Sequence, residues 1–172
     1  RLAAAGRENV QVVAVCDVCQ THLDAAHKTA TEDGDGNPRQ PGVEVTKHRY
    51  YEEILARDDV HGVLIASPEH WHAKMAVDAL ATGKDVYVEK PMTLRLPEAL
   101  HLRKVAAASD NLVQVGTQMM QIPTYGAARK LIKEGAIGKP VWSQTSYCRN
   151  SRNGEWTYYA IDEAVQPGEV LD

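Results

Sequence analysis

Glu89-Lys90-Pro91 closes the apolar run Val86-Tyr87-Val88. Charge at the end of a buried strand is costly unless it is paired or used. A lysine there can hydrogen-bond a hydroxyl or carbonyl of a bound molecule. Its ammonium can stabilise the alkoxide-like charge that develops during hydride transfer. The same two residues can equally form a structural Glu–Lys pair. Pro91 forces a turn, and the bond before a proline is where cis peptides occur.

Asp17 follows a second Val-rich run, Gln11-Val12-Val13-Ala14-Val15-Cys16. In dinucleotide-binding folds an acid at this place accepts hydrogen bonds from the adenosine ribose hydroxyls and repels a 2′-phosphate. That favours NAD over NADP; an ordinary turn aspartate is the plainer alternative. Ser67-Pro68-Glu69-His70-Trp71-His72 opens a helix at a third strand's carboxyl end. Ser67 suits the N-cap, Pro68 the first helical position and Glu69 the positive dipole end. First-turn N–H groups suit a ligand crevice. Trp71 can flank a flat ring or pack structurally. His70 and His72, two apart, do not share a helix face. There is no HExxH pattern, and no metal site is expected.

These residues need a scaffold. Strands are expected over 11–16, 43–46, 62–66, 85–89, 112–116 and 141–149, and helices over 21–31, 51–57, 67–83, 97–108 and 123–134. Strands alternating with helices imply right-handed crossovers and a parallel α/β sheet with helices on both faces. Ligands of such sheets bind beyond the carboxyl ends of the strands. Topology alone therefore selects Asp17, Ser67-Pro68, Glu89-Lys90-Pro91 and Thr117-Gln118.

The chain has 172 residues, 44% hydrophobic and 24% charged, with a net charge of −4. Such apolar content argues against disorder. No apolar run approaches the ~18–20 residues of a membrane span. An acidic balance argues against a broad nucleic-acid face. Phe is absent, so Val, Leu, Ile, Ala and Tyr must build the core. Cys16-x-x-Cys19 and Cys148 are too few and scattered for a disulfide framework and read as reduced structural thiols. Arg1 to Gly6 reads as the last turns of a longer helix, so the chain is expected to be an internal fragment.

Together the segments 59–73, Ala79-Leu80-Ala81-Thr82-Gly83-Lys84-Asp85-Val86-Tyr87-Val88-Glu89-Lys90-Pro91, Val115-Gly116-Thr117-Gln118 and 135–140 resemble the glucose-fructose oxidoreductase / inositol dehydrogenase / rhizopine-catabolism (Gfo/Idh/MocA) family. The Gly-Lys-x-Val-x-x-Glu-Lys-Pro run is its most specific signature. The resemblance implies an N-terminally truncated NAD(P)-binding Rossmann domain over 1–121. Residues 122–172 would begin a substrate domain with a mostly antiparallel sheet. It implies an oxidoreductase moving hydride between nicotinamide and a sugar or polyol hydroxyl. Lys90 would be catalytic; Asp17, Ser67, Pro68, Trp71, His72, Glu89, Lys90 and Gln118 would line the cofactor. The cofactor would be NAD, with NADP less favoured, and Lys90-Pro91 would be cis. The family's Asp/His proton-transfer pair would lie beyond Asp172. An NAD-dependent glycosidase of the same family and a non-catalytic dinucleotide-binding regulator are the alternatives. The expected partners are a small sugar or polyol and further copies of the chain, held through the second domain, with no nucleic acid or membrane. The segment 154–159 resembles a subgroup often made with a twin-arginine export signal, so a periplasmic place is the alternative to a cytoplasmic one.

Overall fold

The computed structural model describes residues 10–146. Its elements alternate: β1 (Ala14–Cys16), α1 (Gln20–Thr31), β2 (Thr46–His48), α2 (Tyr51–Leu55), β3 (Gly62–Ile65), α3 (Glu69–Ala81), β4 (Asp85–Val88), α4 (Leu96–Ala107), β5 (Val113–Val115), a 3-10 turn (Gln118–Gln121) and α5 (Pro123–Lys133). The strands form two parallel sheets, β1-β2 and β3-β4-β5. Ala14 pairs with Thr46, Val63 with Val86, and Val86 with Val113.

Two small cores follow from this division. Val15, Leu23, Ala30 and Val45 pack β1 and α1 together with the segment entering β2. Leu55, Ile65, Ala76, Ala79, Leu80, Val86, Val88 and Leu102 fill the space between the larger sheet and its helices. Small alanines at 76 and 79 let α3 sit close to β4 while Leu102 of α4 plugs the remaining space.

Several boundaries differ from the expected ones, each for a physical reason. The 11–16 strand shortens to Ala14–Cys16 because the side chain of Gln40 takes over pairing ahead of it. The Val12 N–H donates to Gln40 Oε1 at 2.7 Å, and Gln40 Nε2 donates to the Val12 carbonyl at 3.1 Å. The 43–46 strand moves to Thr46–His48, where β1 offers partners. Residues 141–146 form no strand. Val141 and Trp142 are exposed, and a strand needs a ladder partner to exist. Residues 147–149 of that expected strand, the 1–6 helix remnant and Cys148 lie outside the described residues. Helices on both faces were expected, but among the described residues the larger sheet is covered on one. Its strand order follows the chain, and successive right-handed crossovers in one direction put α3 and α4 on the same side. Leu64, on the opposite face, is 60% exposed.

Candidate functional site

Parallel pairing puts the carboxyl ends of β3, β4 and β5 at one edge of their sheet. Ser67, Glu89-Lys90-Pro91 and Gly116-Thr117-Gln118 follow those ends directly. Asp17 holds the equivalent place after β1 in the two-stranded sheet. Its Oδ1 accepts the Cys19 N–H at 2.8 Å, fastening the start of α1, while Oδ2 stands 3.8 Å from His22 Nδ1.

The α3 entrance differs from the sequence expectation. Ser67 does not cap the helix: its Oγ reaches only the Pro68 carbonyl, at 3.5 Å. Pro68 occupies the N-cap with φ −56° and ψ 144°, so Ser67 sits one residue too early to reach the first-turn amides. No side chain caps α3, and its first-turn N–H groups are suited to an anionic group. Trp71 is half-buried and meets Tyr51 edge-on, with ring centroids 6.5 Å apart; His70 tilts against it at 6.2 Å. Tyr51 also donates to Asp78 Oδ2 at 2.5 Å, tying α2 to α3.

His72 is turned inward and only 2% exposed. Its Nδ1 lies 2.7 Å from the Pro91 carbonyl and its Nε2 2.7 Å from the Ser67 carbonyl. The ring therefore joins the turn after β3 to the turn after β4. Both ring nitrogens face backbone oxygens inside the protein, and a neutral imidazole donates to one of them.

The turn after β4 carries the densest chemistry. Lys90-Pro91 is a cis peptide, as the resemblance implied. Glu89 is half-buried. Its Oε1 accepts from Gln118 Nε2 at 3.0 Å and its Oε2 from the Lys90 N–H at 3.3 Å. The Glu–Lys ion pair that the sequence allowed is not formed. Lys90 is exposed, and its ammonium has no hydrogen bond or ion pair among the described residues. An acceptor at the carboxyl edge would meet an ammonium that no carboxylate holds.

Sequence reasoning missed three supporting residues. Lys84, inside the signature run, is 5% exposed, and its Nζ donates to the Arg57 and Val60 carbonyls at 2.7 and 2.8 Å. The only sequence signal was its place between Gly83 and a strand. Gln40, in a loop rich in Gly and Pro, gave no signal. For Gly116 the available signal was a glycine at a strand end, where a neighbour approaches closely. The Cys16 thiol is pushed up to about 11, first by burial and then by Asp17, Glu53 and Glu52, in keeping with an unreactive structural thiol. Cys16 and Cys19 form no disulfide, and no group of three metal-ligating side chains occurs among the described residues. No helix among them is long and apolar enough to cross a membrane.

Parallel strands and crossover helices define the chain as a Rossmann-like α/β protein. The model of the Gfo/Idh/MocA oxidoreductase family, described by its NAD-binding Rossmann fold, matches residues 2–117. The chain belongs to this family. Among curated proteins it is similar to a glycosyl hydrolase family 109 protein of Shewanella sp. strain ANA-3. The two are 30% identical over 159 residues, which cover 90% of this chain and 32% of the relative. The chain thus spans about a third of the length of the curated relatives it matches. Among solved structures it is similar to myo-inositol 2-dehydrogenase from Lactobacillus plantarum (TM-score 0.62, 26% identity, 77% of this chain and 36% of that one). It is also similar to scyllo-inositol dehydrogenase from Lactobacillus casei with NAD(H) and scyllo-inositol bound (TM-score 0.61, 28% identity, 79% and 38%). A 3-ketoreductase from Actinomadura kijaniata, in complex with NADP and TDP-benzene, aligns at a TM-score of 0.60 with 27% identity over 80% and 40%.

Proposed function

We propose that this chain supplies the cofactor side of an enzyme that transfers hydride between nicotinamide and a sugar or polyol hydroxyl. The observation that carries the reading is the Lys90 ammonium, left without a partner beside the cis Lys90-Pro91 turn at the sheet's carboxyl edge. The residues present fit a dinucleotide: Asp17 offers a carboxylate after β1, and α3 offers an uncapped first turn. NAD is preferred over NADP because Asp17 would repel a 2′-phosphate. The bound nicotinamide supplies the hydride acceptor. Lys90 donates to the substrate oxygen and stabilises its negative charge while the C–H hydride departs and the hydroxyl proton leaves to a base of the substrate domain. That domain would begin near residue 122.

A second reading is favoured by the glycosyl hydrolase family 109 relatives, which align over 90% of this chain. The same oxidation would then be transient: it would permit elimination of a glycosidic leaving group, and the cofactor would be restored at the end of each cycle. Lys90 keeps its role in both.

The test is Lys90→Met in the full-length protein, assayed with NAD on inositols, hexoses and p-nitrophenyl glycosides. Loss of about 3 kcal/mol of transition-state stabilisation, near a hundred-fold in kcat/KM, is expected from removing one such donor. Wild-type kcat/KM in Lys90→Met sinks the reading. NADH accumulation indicates the dehydrogenase; p-nitrophenol release without net NADH indicates the glycosidase.

A further inference from the structure

The carboxylate of Glu89 lies directly over the Cα of Gly116. A Cβ at position 116 would stand 2.8 Å from Glu89 Oε2, 3.1 Å from Glu89 Cδ and 3.0 Å from Tyr87 Oη. Gly116 is not among the positive-φ glycines, so its backbone conformation is open to any residue. What requires glycine here is space, and the space is taken by the Glu89 carboxylate with the Tyr87 hydroxyl beside it.

That carboxylate is held on both sides. Gln118, in the turn after β5, donates to one oxygen, and the backbone N–H of Lys90 donates to the other. Around it the ladder is closed: Gly116 N–H donates to the Val88 carbonyl at 2.8 Å and Glu89 N–H to the Ile65 carbonyl at 2.9 Å. Glu89 thus bridges the ends of β4 and β5 at the residue from which the Lys90 side chain projects.

We propose that Gly116 is a positioning residue for Lys90, acting through Glu89: the missing side chain at 116 seats the carboxylate that fixes the Lys90 backbone. This inference rests on the reading of Lys90 as the substrate-polarising group. An alanine at 116 would meet mainly the far end of a flexible side chain. Glu89 can swing out, so the fold is preserved while the Lys90 N–H and Gln118 lose their shared acceptor. Misplacement of a reacting group by ~1 Å costs up to about a hundred-fold in rate.

The experiment is a double-mutant cycle on the full-length protein with Gly116→Ala, Glu89→Ala and the pair, beside Lys90→Met. It uses NAD and the same inositol, hexose and p-nitrophenyl glycoside panel. Gly116→Ala is expected to lower kcat about ten-fold, inside that range, with little change in the KM for NAD or in Tm. Glu89→Ala is expected to lower kcat similarly. The pair should be little worse than Glu89→Ala alone, because the carboxylate that the new methyl at position 116 displaces is already gone and only the Tyr87 hydroxyl, a side-chain end, must still give way. Wild-type kcat in Gly116→Ala, or losses that multiply in the pair, overturns the proposal. So does a fall in Tm large enough to account for the lost rate. If Lys90→Met is inactive while Gly116→Ala is fully active, only this proposal fails. If Lys90→Met is fully active, the functional reading itself fails.

Discussion

Lys84→Met puts the buried lysine of the signature run to a quantitative test. Lys84 is 5% exposed and donates to the carbonyls of Arg57 and Val60. Those oxygens lie between α2 and β3, where the chain passes from one sheet to the next. No carboxylate forms an ion pair with this ammonium among the described residues. Methionine has a similar length and occupies the same channel, so loss of packing is small. What disappears is two charge-assisted hydrogen bonds, each contributing about 1.5–3 kcal/mol. Removing a buried ammonium also returns part of its desolvation cost, which is several kcal/mol per ion. Because both carbonyls would be left facing a thioether, we expect a net destabilisation of about 2 kcal/mol. For a domain of this size that corresponds to a fall in Tm of roughly 4–8 °C. Thermal melts followed by circular dichroism, with urea titration as the check on ΔG, measure it. The kcat/KM of the remaining folded enzyme well below Tm should be unchanged. An unchanged or higher Tm would refute the argument: the ammonium would then be a net cost, and the crossing would be held by apolar packing alone.

The remaining predictions concern the core and alkaline stability. Tyr51 is pushed up to about 12, first by burial and then by its bond to Asp78. The folded state therefore holds this proton more tightly than the unfolded chain. Its contribution is complete below the unfolded value of about 10 and is lost as pH rises towards the folded one. Wild-type stability should fall between those values more steeply than that of Tyr51→Phe; parallel curves in urea titrations across that range would show otherwise. Leu102, 1% exposed between α4 and the larger sheet, should cost about 2–5 kcal/mol when changed to Ala. The exposed Leu96 on the same helix should cost less than about 0.5 kcal/mol in the same change, and equal losses would misplace the core.

The repeating order of strands and helices was legible because each element carries its own signal. Val-rich runs of four to six residues cannot be amphipathic helices, and Gly83, with φ +72°, marks where α3 stops. The positions after the strands were legible for a related reason: parallel topology sends every residue that follows a strand to the carboxyl edge of its own sheet. Asp17, Ser67, Lys90 and Gln118 could be selected before any contact was known.

Other features depended on partners distant in the chain. The length of β1 was set by a glutamine side chain 28 residues away, and the start of β2 by the register against β1. Ser67 lost its expected cap because Pro68 took the N-cap geometry. Nothing in the local sequence shows that His72 points inward to two carbonyls, or that Glu89 binds Gln118 rather than the Lys90 ammonium. The sequence by itself determined the alternating order of strands and helices from β1 to α5 and which residues follow the strand ends, because periodicity and turn chemistry are local. Only the tertiary structure decided which of them are buried, paired or left free. Those states depend on groups that folding brings within about 3 Å, the range over which hydrogen bonds act.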